Sequence, residues 1–182
     1  MVDKITKWLY LEPLLFKEGV HLAEISKKIG RNHSVVRQYL NYFEKQGIVR
    51  KQIVGRMTMY RLNMKYPLIV DIIFLIEKEK LVRKSEDMLV KEIVWFIHDN
   101  FSNDVLVFGS FVDNSKKAGD IDLLVIGSLD KNKFKEIEKR LNKKIHLINV
   151  EKIEDVSSVL KEEIKSKHLI VQGAEELIKW LI

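Results

Sequence analysis

The chain has no cysteine, so disulfides and thiolate-held metals are excluded. It also has no long apolar run. The most apolar stretch, Leu68 to Ile76, contains Asp71 and is too short to span a bilayer, so no membrane partner is expected. No secretory leader is legible either: Lys7, Glu12 and Pro13 interrupt the first apolar residues, and no small-residue cleavage site follows. A cytoplasmic protein is the expectation. What remains is an ordinary globular composition, 46% hydrophobic and 32% charged over 182 residues, room for one large or two small domains.

The charge is unevenly spread. Residues 1–66 hold 13 Lys/Arg against 5 Asp/Glu, a net +8, while residues 67–182 hold 19 against 21, a net −2. A basic first third beside a near-neutral remainder suits an anionic partner, most often nucleic acid; a solvated Lys-rich surface is the plainer alternative.

Within that basic third, Leu22, Ile25 and Ile29 fall at helical spacing before Gly30, a natural stop. Asn32 can cap a second helix with Val36, Leu40 and Phe43 inward, ending before Gly47. Ile48 to Val54 and Met57 to Leu62 then read as two strands around Gly55-Arg56, a hairpin with a basic tip. Helix, turn, helix and hairpin together resemble a winged helix-turn-helix, similar to regulators of the ArsR and MarR type. The resemblance implies double-stranded DNA as partner, with the second helix in the major groove. His33, Ser34, Val35, Arg37, Gln38 and Asn41 would face outward. Arg37 and Gln38 suit base edges, Arg31 and Ser34 suit phosphates, and Lys51 and Arg56 would add contacts from the wing. Winged helices also serve as protein–protein modules.

Residues 67–84 read as a connecting helix, with Pro67 at its start and apolar side chains almost all round from Leu68 to Ile76. It would be covered on most sides, either as a seam between domains or as a homodimer contact. A strand pair is the alternative for so apolar a run.

The second half carries the chemistry. Val105-Leu106-Val107-Phe108 ends in Gly109-Ser110, and nine residues later Asp120-Ile121-Asp122 opens another apolar run. In a strand, Asp120 and Asp122 project to one side, and two adjacent carboxylates repel unless a cation lies between them. A Gly-Ser turn allows close backbone approach and offers a hydroxyl, the ingredients of a phosphate seat. Helices over Ser85–Phe101, 131–144, 155–167 and 174–182, with strands at Val105–Phe108, from Asp120, and at Ile145–Val150, give a small mixed-sheet domain. The expected fold class is therefore α+β or α/β: an N-terminal winged helix-turn-helix (1–66), a connecting helix (67–84) and a small mixed-sheet domain (85–182).

The element GSFVDNSKKAGDIDLLVIG resembles the signature of the DNA polymerase beta-like nucleotidyltransferases in their minimal form, over about residues 85–182. The resemblance implies Asp120 and Asp122 as catalytic acids and ligands of magnesium or manganese, with a nucleoside triphosphate as substrate or ligand. It places Gly109 and Ser110 on the phosphates. Lys116 or Lys117 would neutralise triphosphate charge, or both are simply solvated. Two departures stand out. Where members place a third carboxylate, this chain has His146 in Lys144-Ile145-His146-Leu147-Ile148, with Glu151 beyond the strand and Asn149 facing away. Where members often carry Arg-Gly after the serine, Phe111-Val112-Asp113 stand. His146 is either a general base for an acceptor hydroxyl or an inert strand histidine. Two functions follow as expectations. One is a nucleotidyltransferase moving a nucleoside monophosphate to a hydroxyl. The other is a transcriptional regulator or antitoxin-like protein whose impaired domain serves as nucleotide sensor or scaffold, with a toxin as protein partner.

Overall fold

The computed structural model describes residues 6–182, which divide into two compact units between Glu79 and Lys80. In the first unit, short 3-10 turns precede β1 (Val20–His21) and α1 (Leu22–Ile29). The His21 ring caps α1 by accepting from the Glu24 N–H, and Gly30 ends it at φ 69°. Asn32 then caps α2 (His33–Lys45), its Oδ1 accepting from the Val35 N–H at 3.0 Å. Val36, Leu40 and Phe43, one helical face, are wholly buried. Strands β2 (Val49–Val54) and β3 (Met57–Leu62) pair antiparallel from Val54↔Met57, with Gly55 at φ 60° as the first of two turn residues. β1 adds to the other edge of β3, giving the order β1-β3-β2. Two residues are too few for an alternation to announce, so this strand escaped the sequence reading.

α3 (Ile69–Lys84) is a helix, not a strand pair, and the division between the units falls within it. One expectation needs correction: Pro67 lies two residues before the first helical residue rather than inside the helix. Within the single chain Ile69, Ile72, Ile73 and Ile76 are buried, whereas Val70, Phe74, Leu75 and Val82 are exposed.

The second unit starts its own layer with α4 (Met88–Asn100), which begins three residues later than expected because Asp87 is its cap. Then come β4 (Asp104–Phe108), the one-turn helix α5 (Ser110–Asp113), β5 (Asp120–Ile126), α6 (Phe134–Leu141), β6 (Lys144–Val150), α7 (Ser158–Ser166), β7 (His168–Gln172) and α8 (Ala174–Leu181). α6 stops short of residue 144 because Asn142 turns left-handed at φ 51°. The sheet order is β6-β5-β4-β7, mixed as expected: β5 and β6 run parallel, and the other pairs antiparallel. β7 was not foreseen. Its five residues sit between two helical stretches, and a run so short does not separate from a helix end by periodicity.

One sheet face, carrying Val105, Val107, Ile121, Leu123 and Val125, shares a buried cluster with Ile93, Phe96 and Ile97 of α4 and with Phe134 and Ile137 of α6. The alternate residues Leu106, Leu124 and Ile170 are also buried. The sheet is thus apolar on both sides, and polar groups at its strand ends stand out.

Candidate metal and nucleotide site

At the C-terminal end of β4 the chain enters Gly109 at φ 74° and ψ −151°, a region open in practice only to glycine. A Cβ built there would lie 2.5 Å from Asp122 Oδ2. The missing side chain therefore lets the backbone turn rest against the acid. Ser110 follows, exposed, as the first residue of α5.

The sheet register assembles the rest. Antiparallel pairing sets Phe108 opposite Asp122, and parallel pairing sets Asp122 opposite His146. Asp120 and Asp122 share a strand face, whereas Ile121 and Leu123 on the other face are wholly buried. His146 Nδ1 lies 3.4 Å from Asp120 Oδ2 and 3.4 Å from Asp122 Oδ1. One ligand atom from each of the three residues falls within 4.8 Å of the others. Burial pushes the Asp122 carboxyl above its ordinary value, and the Asp120 carboxylate adds to that, while His146 pulls the other way.

This donor set fits a cation. A six-coordinate ion with bonds near 2.1 Å sets neighbouring donors about 3 Å apart and opposite ones about 4.2 Å apart, close to the separations here. The mutual repulsion of Asp120 and Asp122 is the cost that such an ion would remove.

Lys116 and Lys117 are exposed in the loop before β5. Lys116 acts electrostatically on Asp87, together with the Ser115 hydroxyl. Two residues that the sequence reading missed lie close by. Glu163 of α7 raises the Asp122 carboxyl further. Lys167 accepts the Gly109 N–H on its carbonyl at 3.3 Å and pairs with Asp113 at 2.6 Å. No motif marks either one, because α7 and the residue that follows it come in from about forty to sixty residues downstream.

Residues 88–179 match the nucleotidyltransferase domain family. The chain belongs to this family. The nucleotidyltransferase domain thus contains the whole of the Gly109–Asp122–His146 arrangement. Comparison with curated proteins found no match. Among solved structures, the chain is similar to a toxin-antitoxin crystallised with AMP-PNP, at 20% identity and a TM-score of 0.38, over 48% of this chain and 78% of the other. It is likewise similar to a mutant of the toxin-antitoxin MntA-HpeT, at 19% identity and a TM-score of 0.36, with the same shares covered. No helix among the described residues is long and apolar enough to cross a membrane.

In the first unit, His33, Arg37 and Asn41 of α2 and Lys51 of β2 line one concavity of about 460 Å³, with His21, Thr58 and Tyr60. Gln38 and Arg56 are exposed outside it, the latter at the hairpin tip. Val35 and Arg31 are half-buried, and the Ser34 hydroxyl donates to Asn32 Oδ1 at 2.9 Å. Lys51 pairs with Glu44 at 3.4 Å, which offsets part of its charge.

Proposed function

We propose that the chain is a DNA-binding nucleotidyltransferase, taking a metal-bound nucleoside triphosphate at the Gly109–Ser110 turn and moving its nucleoside monophosphate to an acceptor hydroxyl. The observation that carries this is the convergence of Asp120, Asp122 and His146 beside a turn that only glycine can make. A divalent ion in such a site neutralises triphosphate charge and lowers the pKa of an attacking hydroxyl. The protein's own share is positioning. Gly109 lets the turn rest against Asp122, Ser110 offers its hydroxyl to a phosphate, and the two acids and the imidazole hold the cation.

In this reading residues 1–66 are a winged helix-turn-helix, 67–84 a connecting helix and 85–182 a minimal nucleotidyltransferase domain. The concavity lined by His33, Arg37, Asn41 and Lys51 supports DNA binding, because three outward α2 side chains and one wing cation share it. The exposed Val70, Phe74 and Leu75 of α3 support the expected homodimer.

The test is pyrophosphate release from each nucleoside triphosphate with Mg²⁺ or Mn²⁺ and protein, nucleic-acid and small-molecule acceptors. Release should disappear in Asp120→Ala. Equal signals from the two proteins would end the transferase reading. A second reading, in which the domain is a nucleotide sensor, is favoured by His146 standing where the resemblance implies an acid; it requires saturable nucleotide binding without pyrophosphate.

A further inference from the structure

Magnesium accepts oxygen donors and dehydrates reluctantly, whereas imidazole suits zinc, copper, iron and nickel. The site offers two carboxylates and one imidazole, and the imidazole lies within reach of a cation held by both acids. Its ring sits in register with Asp122 on the neighbouring parallel strand. Nδ1 is equidistant, at 3.4 Å, from one oxygen of each acid. Asp122 divides its two oxygens, Oδ2 against the Gly109 turn and Oδ1 toward His146. One oxygen from each acid and one nitrogen lie within 4.8 Å of one another, with Nδ1 between the acids.

We propose that Asp120, Asp122 and His146 form a site selective for a first-row transition ion over magnesium, with His146 Nδ1 as a direct ligand. The inference rests on the reading of this site as the metal seat of the nucleotidyltransferase domain. It goes beyond that reading by naming the class of ion and the residue that selects it.

The full-length, tag-free protein is titrated calorimetrically with Mg²⁺, Mn²⁺ and Zn²⁺ alone, without nucleotide. The Mn²⁺ form is then examined by pulsed electron paramagnetic resonance for coupling to ¹⁴N. Wild type should bind Mn²⁺ and Zn²⁺ on the order of ten to a hundred times more tightly than Mg²⁺. Its spectrum should show one directly bound nitrogen. His146→Asp should raise Mg²⁺ affinity, narrow the gap and abolish the nitrogen signal, and His146→Gln should abolish the signal without restoring Mg²⁺. The wild-type spectrum needs no variant, so a folding defect does not obscure it. Bound Mn²⁺ with no nitrogen coupling, or the same Mn²⁺/Mg²⁺ ratio in wild type and His146→Asp, overturns the inference. Pyrophosphate release with Mg²⁺ but no nitrogen coupling sinks the inference and spares the transferase reading. Nitrogen-coupled Mn²⁺ with no release under any metal does the reverse.

Discussion

Gly109 is the residue on which the second unit's site turns. Its φ of 74° and ψ of −151° exclude a side chain on conformational grounds, and the Asp122 carboxylate excludes one on steric grounds. Gly109→Ala should cost about 1–3 kcal/mol of folding stability for the backbone strain alone. It should cost metal binding more heavily, because relief of the clash moves Asp122 Oδ2 and with it the oxygen facing His146. Urea unfolding and Mn²⁺ titration of the same variant separate the two effects. An alanine variant with wild-type stability and affinity would mean that the turn is not what places Asp122. Gly30, also left-handed at φ 69°, makes a useful contrast: nothing lies within 4 Å of its would-be Cβ, so an alanine there meets strain without a clash.

At the scale of the element, α4 owes its start to Asp87, whose carboxylate accepts from the Leu89 and Val90 N–H groups at 2.9 and 3.3 Å. Burial by itself would raise this carboxyl. The Ser115 hydroxyl, the two amides and Lys116 outweigh burial and hold it below its ordinary value. A carboxyl with a depressed folded-state pKa gives stability that is present above its unfolded value and lost as pH falls through the folded one. Asp87→Ala should therefore destabilise the protein by about 1 kcal/mol at neutral pH. The difference from wild type should shrink in acid, below the ordinary carboxylate range. Asp87→Asn keeps the cap and should remove only the acid dependence. Thermal unfolding across pH reads both; a destabilisation unchanged in acid would count against a charge-assisted cap. Lys116, expected either on a triphosphate or simply solvated, acts electrostatically on the Asp87 cap of α4. The elements that were legible, α1, α2 and the hairpin, carry their own caps and turn residues: His21, Gly30, Asn32, Gly55. The acid pair was legible for the same reason, since period-two spacing is local. β1, β7, Glu163 and Lys167 were not, because each gets its role from a partner far along the chain: Val20 from Tyr60, Phe108 from His168, Asp122 from Glu163.

At the scale of the molecule, the net +8 of residues 1–66 and the net −2 of the rest set the two proposed functions apart electrostatically. A basic surface that meets the DNA backbone releases counterions, so affinity falls with salt at a slope set by the number of phosphates neutralised. With about four phosphates contacted, affinity should drop on the order of a hundredfold between 50 and 200 mM salt. Among the described residues, Arg56, exposed at the hairpin tip, is not tied into an ion pair of the kind that joins Lys51 to Glu44. Arg56→Ala should therefore lower the salt slope by about one and weaken all sequences alike. Arg37 lies inside the concavity on the outward face of α2, where a guanidinium can reach base edges. Arg37→Ala should cost about 1–3 kcal/mol on a preferred sequence and little on a random duplex. Fluorescence anisotropy on both duplexes over a salt series measures all three quantities. Because the acids of the second unit take no part in the slope, Asp120→Ala should leave it unchanged. A flat salt response, or a slope that moves with Asp120 but not with Arg56, would place the anionic partner elsewhere on the molecule.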